Sequence, residues 1–131
     1  MVPKWQHPEN KRNQADSLTR HGINVVCYDI IGKRISGYFK NIVHLKKRIK
    51  SEDPDILHAH YVMSGFLAVL TLSRKPIIVS LMGSDVNNAG RLQLFLIRLF
   101  IKCFWTRTIV KTKRMCDKLG INGVEILPNG V

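Results

Sequence analysis

Acidic residues are what this sequence has little of. Nine Asp and Glu stand against twenty-one Lys and Arg in 131 residues, a formal net charge of +12 with a pI near 10.1. Such an imbalance predicts attraction to something anionic, whether phosphorylated substrates, anionic lipid or nucleic acid. Cysteine is also scarce. Cys27, Cys103 and Cys116 are odd in number and include no Cys-x-x-Cys pair, so neither a disulfide framework nor a zinc site is expected. That usage suits a reducing compartment. Long apolar runs are missing as well, since the stretch from Leu92 to Trp105 is interrupted by Gln93, Arg98 and Lys102. It falls short of the ~20 residues that span a bilayer. The opening Met1-Val2-Pro3-Lys4-Trp5 lacks the apolar core of a secretory leader. No repeat or low-complexity segment is evident. A hydrophobic content of 45% argues against disorder, and the length suits a single domain with a modest core.

What is present is organised around Pro54–Asp85, PDILHAHYVMSGFLAVLTLSRKPIIVSLMGSD. It reads as two buried parallel strands joined by a crossover helix. Asp55–Tyr61 is a short apolar run turning polar at its end. Ser64-Gly65 is read as a break, followed by a helix from about Phe66 to Leu72. Arg74-Lys75-Pro76 stops that helix, and Ile77–Met82 is too apolar for a surface strand. In an open parallel α/β sheet, ligands bind beyond the carboxyl ends of the strands. His60-Tyr61 and Gly83-Ser84-Asp85 fall at two such ends.

On the N-terminal side, a helix is expected from about Pro8–Asn10 to Arg20, with Gly22 as its C-cap. A buried strand should follow over Ile23–Ile30, then a basic loop at Gly32-Lys33-Arg34. From Ser36 to Lys50, Tyr38, Ile42, Leu45 and Ile49 recur at helical spacing. Seven Lys and Arg and no acid lie between Asp29 and Glu52. On the C-terminal side, Val86–Gly90 reads as a loop and Arg91–Phe104 as a helix. Ile109-Val110 suggests a strand. Lys113–Leu119 is a short helix capped by Gly120, and Val124–Leu127 a last strand. Strands alternating with helices imply a parallel sheet with right-handed crossovers.

These residues resemble a known family. Asp55–Tyr61 (DILHAHY), Gly65, Lys75–Asp85 (KPIIVSLMGSD), Ile109–Thr112 with its short helix, and Leu127–Val131 (LPNGV) stand in the order and rough spacing of the N-terminal domain of a family-4 glycosyltransferase of GT-B architecture. The helix Tyr38–Lys50 also resembles that of bacterial surface-polysaccharide members. The resemblance implies a Rossmann-like parallel sheet with helices on both faces, residues 1–131 forming one domain. Three departures accompany it. The family's first strand would precede Met1, Met82 stands where the family often carries a catalytic His, and the nucleotide-sugar domain would follow Val131. The reading is thus an acceptor-side half, trimmed at both ends and inactive alone.

By that resemblance the activity is glycosyl (hexosyl) transfer from a nucleotide sugar to a glycan, lipid-linked, in surface-polysaccharide synthesis. Transfer passes through an oxocarbenium-like centre while a diphosphate leaves, so cationic groups must absorb the developing charge. The nucleotide sugar is a co-substrate held by the other domain, and no cofactor or metal is expected. The implied acceptor-binding residues are His60, Tyr61, Ser64, Gly65, Gly83, Ser84 and Asp85, with Asp85 the catalytic candidate. Asp85 serves equally as an N-cap or loop-ordering side chain. His58 and His60 share a strand face, but no third metal ligand is evident; His58 reads better as a satisfied interior histidine. Gly83 suits either a tight turn or close approach of a ligand. An anionic membrane surface is a further expected partner, with a cytoplasmic location at the inner face of the membrane. The alternatives are a basic α/β module gripping nucleic acid, or a truncated, inactive gene product. Aromatics placed in apolar stripes rather than on an open platform disfavour nucleic acid.

Overall fold

The computed structural model describes residues 15–28 and 35–127, with the backbone alone at 35–38, 84 and 85. The chain forms two compact units, Met1–Asn41 and Ile42–Val131.

In the first unit, helix α1 covers residues 15–20. Its end is a Schellman turn: Ile23 N–H donates to Leu18 carbonyl at 3.1 Å and Gly22 N–H to Thr19 carbonyl at 3.0 Å. Gly22 has φ +84°, which a residue without Cβ adopts freely. The strand expected over Ile23–Ile30 is not found at 23–28, which carry no regular structure. Ile23 and Val26 are 51% and 46% exposed. Their β-branched character expresses a fit to a pleated, half-buried surface, and here that surface is lacking. Tyr28 hydroxyl instead donates to Asn41 Oδ1 at 3.2 Å. The expected helix start at Pro8–Asn10, any pairing by Met1–Trp5, the loop Gly32–Arg34 and the final Pro128–Val131 lie outside the described residues.

Helix α2, Ile35–Glu52, is the expected amphipathic helix. Ile42, Leu45 and Ile49 are half-buried, whereas Lys40, Lys46, Lys47 and Lys50 are exposed. Asp53 closes it with φ +45°, and its N–H donates to Ile49 carbonyl at 2.9 Å.

The second unit holds the sheet. Strands β1 (Leu57–His60), β2 (Ile77–Ser80), β3 (Arg107–Val110) and β4 (Val124–Ile126) are parallel and lie in chain order. Between them run α3 (Val62–Leu70), α4 (Gly83–Asn87), α5 (Arg91–Cys103) and α6 (Lys113–Leu119). A parallel sheet with helices packed around it is a Rossmann-like α/β arrangement. Two expectations near the first two strands need correction. Helix α3 begins at Val62 rather than Phe66, so Ser64 and Gly65 are helical. The stretch Gly83–Asn87, read as a loop, is the short helix α4.

Strand alternation decides what is buried. Ala59, Val79 and Val110 point into one core with Val62, Ile97, Ile101, Trp105, Met115 and Leu119. Gly65 sits at its centre. A Cβ there would lie 2.7 Å from Trp105 Cζ2 and 3.1 Å from Val79 Cγ2. Glycine is tolerated inside α3 because the Trp105 ring occupies the space a side chain would need. Trp105 Nε1 then donates to Gly65 carbonyl at 3.2 Å.

Helix ends are tied down by side chains. Arg98 of α5 donates from Nε to Leu119 carbonyl at 2.7 Å and from Nη2 to Lys118 carbonyl at 3.2 Å. The last carbonyls of α6, which have no partner within the helix, are so satisfied by a cation. At the other end of α6 the Thr112 hydroxyl accepts from Met115 N–H at 3.3 Å, and Gly120 at φ +61° is the C-cap the sequence indicated.

Thr108 of β3 is the exception in an otherwise satisfied core. It is 1% exposed, and its hydroxyl has no partner among the described residues. A buried hydroxyl without a hydrogen bond is costly, and an apolar replacement of like shape removes the cost. Thr108→Val should therefore stabilise the chain by about 1 kcal/mol. A urea midpoint that stays put or falls would show the hydroxyl to be satisfied.

Candidate functional site

The parallel register fixes what meets at the carboxyl ends. His60 pairs with Ser80, so Tyr61 and the segment after Ser80 leave the sheet at one level. Tyr61 N–H donates to Ser80 carbonyl at 3.0 Å, the last bond of that ladder. The backbone of Tyr61 then turns with φ +73° and ψ +154°, a region essentially reserved for glycine. That turn starts α3 one residue after the strand, and for a tyrosine it costs on the order of 1–3 kcal/mol. Strain of this kind gathers at functional sites. No local sequence signal marks it.

The expected site residues separate into two groups. His60 and Tyr61 sit at the end of β1, both half-buried, and Gly83 opens α4 beyond the end of β2. Ser84 and Asp85 follow on the backbone of α4. Register therefore brings these two segments to the same end of the sheet. Ser64 is half-buried one turn into α3, while Gly65 faces inward to Trp105 and Val79. Gly65 is thus occupied by packing. Gly83 is different, because its φ is not positive and an added Cβ would meet only Asn87 Nδ2 at an ordinary 3.6 Å. Neither a left-handed turn nor packing among the described atoms demands a glycine there. Lys118 steadies this segment by donating from Nζ to Asn87 carbonyl at 2.5 Å, a cation at the carbonyl end of α4.

His58 and His60, two apart on β1, stack with ring centroids 4.6 Å apart and planes at 25°. His58 Nε2 and Ser80 Oγ share a hydrogen bond of 2.7 Å. His58 is exposed rather than the interior histidine expected, although its Nε2 is closed in by Ser80. Desolvation there, and secondarily the charge of Lys111, hold the His58 pKa below its ordinary 6.5. The neutral ring is what the fold prefers, so stability is complete above pH 6.5 and declines as pH falls through the lowered folded value. His58→Gln should remove that dependence. Urea midpoints of both proteins on descent from about pH 7.5 to 5 test it, since parallel curves would dismiss the effect.

Among the described residues, no group of three or more His, Cys, Asp or Glu is placed to hold a metal, and no helix is long and apolar enough to cross a membrane. A groove of about 490 Å³ opens at the opposite, amino end of the sheet, lined by Val69, Leu72, Ile77 and Phe104 with Arg74 and Lys75. It is remote from the strand-end crevice and from every residue discussed above as a site.

A parallel sheet with helices around it, and a strained strand-to-helix turn beside a glycine at its carboxyl edge, defines a Rossmann-like α/β domain. The chain belongs to the glycosyl transferase 4-like family, whose sequence model matches residues 8–111. No curated protein matches it.

Proposed function

We propose that this domain holds the acceptor in a glycosyl transfer. The observation that carries the reading is Tyr61. A strained turn at the end of β1 faces the same crevice as Gly83, where the chain leaves a glycine that its own packing does not require. The acceptor glycan would lie across the two strand ends, its hydroxyls met by His60, Tyr61, Ser64, Ser84 and Asp85, with the Gly83 backbone against it. Asp85 is the candidate to accept the proton of the attacking hydroxyl. A nucleotide sugar, bound chiefly by a partner domain, supplies the glycosyl group. Family membership supports glycosyl transfer in general. A lipid-linked acceptor in surface-polysaccharide synthesis is the finer reading, and the basic composition of the chain favours a phosphorylated acceptor.

Backbone amide spectra during titration with short oligosaccharides and, separately, with nucleotide diphosphate sugars test this. Glycans should move the signals of His60–Gly65 and Gly83–Val86, and nucleotide sugars should not. In Tyr61→Gly the turn relaxes, so the chain should become more stable while the glycan response fades. Unchanged glycan shifts in that variant would refute the assignment.

A further inference from the structure

Strand β3 delivers a cation to the end of the sheet where β1 and β2 present His60 and Gly83. Thr108 and Val110 face the core, so Ile109 lies on the other side of the sheet. Lys111, one residue past the strand, follows Ile109 by alternation. Register joins this side to β1 and β2, for His60 lies beside Ser80 and Ser80 beside Ile109. The 2.7 Å hydrogen bond between His58 Nε2 and Ser80 Oγ, with His60 stacked on His58, places both histidines on that side too. His58, His60, Ser80 and Lys111 therefore share one face at one end.

Lys111 lacks a counter-charge there. It is half-buried, yet among the described residues it makes no ion pair or hydrogen bond. Glu125, opposite Ile109 in β4, already meets Arg107 at 3.4 Å. From Val86 to Cys116 the chain has seven Lys and Arg and no acid. Asp85, on α4, is assigned to the attacking hydroxyl. The charge of Lys111 is felt at His58, where it comes second to desolvation in holding the pKa below its ordinary value. A cation drawn part-way out of water, beside polar but uncharged groups, is stabilised by an anion. A cationic ligand would be repelled, and a neutral one would leave the charge unmet.

We propose that Lys111 selects acceptors that carry negative charge, so that the substrate class is an acidic glycan, its charge a uronate carboxylate or a phosphate ester. The proposal rests on the acceptor reading. A lysine suits either group, because its ammonium is a point charge on a flexible stem rather than a planar fork. Parallel strands lie about 4.8 Å apart, so an anion held over β3 is set aside from the ends of β1 and β2. The glycan then lies across three strand ends, with its charged group at Lys111 and its reacting hydroxyl near Asp85. Lys111 takes no proton in this arrangement; it determines specificity.

The test is binding of the full chain to four glycans, followed by backbone amide spectra: trigalacturonate, its methyl ester, maltotriose carrying one phosphate ester, and maltotriose. At least one charged glycan should bind about tenfold more tightly than its neutral counterpart, the worth of one charge-assisted hydrogen bond. The gap should narrow with salt. Carboxylate and phosphate are told apart by which pair shows the larger gap. Lys111→Gln should bring the charged glycan down to the level of the neutral one, and Lys111→Arg should restore most of the difference. The bound anion should also raise the titration midpoint of His58 in the wild-type chain, since a nearby negative charge favours imidazolium. Charged and neutral glycans binding alike, or a preference that survives Lys111→Gln, would overturn the proposal and leave the acceptor reading in place. So would a Lys111 signal that moves with nucleotide diphosphate sugar and with no charged glycan, which would assign its charge to the donor. Silence of all four glycans would overturn both.

Discussion

Trp105→Ala should cost the chain about 3–5 kcal/mol, the range for truncating a buried aromatic residue. The ring is 4% exposed and lies between α3 and the sheet, with Phe66 and Phe100 centroids 5.9 Å and 5.8 Å away. Its removal opens a cavity against Gly65, Phe66, Phe100 and Val79 that a backbone fixed in helix and strand can collapse into only partly. It also leaves the Gly65 carbonyl without its indole donor. Because folded domains have only about 5–15 kcal/mol to lose, this one change removes a large share. Trp105→Phe should fall between the two, keeping most of the apolar area and losing the bond. A urea-derived loss below about 1 kcal/mol for the alanine variant would mean that the ring is not the keystone of this layer.

The reciprocal change fills the space the ring occupies. Gly65→Val should destabilise by about 3 kcal/mol, the upper end of the usual cost of overpacking. The first added carbon would already stand 2.7 Å from Trp105 Cζ2 and 3.0 Å from Cε2. An indole held by its own hydrogen bond cannot swing aside as the tip of a lysine can. Gly65→Ala separates two effects, since alanine favours a helix over glycine by about 0.5–1 kcal/mol. In the wild-type background the clash should outweigh that gain. In the Trp105→Ala background the same Gly65→Ala change should turn stabilising, because the helix preference remains and the other close neighbour, the Val79 Cγ2 methyl at 3.1 Å, can shift into the vacated space. A double-mutant cycle measures the coupling, and additive costs would refute direct contact between the two sites.

Much of this fold can be read from the chain by pattern. The apolar run Ile77–Met82, the capped helix Lys113–Leu119 and the order of alternating elements announce themselves over short windows. What fails is whatever depends on distant partners. Ser64-Gly65 reads as a break because glycine inside a helix is locally unfavourable, and its reason for being there is a tryptophan forty residues later. Ile23–Ile30 has strand composition throughout, yet residues 23–28 form no strand, since composition cannot supply a neighbouring ladder. In the candidate site, position is legible and conformation is not. His60-Tyr61 and Gly83 can be located at strand ends by where apolar runs stop. That Tyr61 takes a backbone conformation suited to glycine has no counterpart in residue type. Likewise the many apolar positions of α5 look alike in the sequence, and only packing separates Ile97 and Ile101 from Phe95 and Leu99.

The agreement between strand order and chain order has a consequence for synthesis. As the chain leaves the ribosome, β1 and β2 can pair as soon as Ser80 is out, without waiting for any later strand. The groove over Gly65 has no such early partner, because Trp105 is still to be translated. During that interval the inner side of α3, with Val62, Gly65 and Ala68, has to be shielded by something other than its eventual neighbour. Nascent chains halted just after β2 should accordingly be open to protease and receptive to chaperones, and those extended beyond α6 should be closed. Identical digestion of the two would mean that the α3 layer closes without its tryptophan.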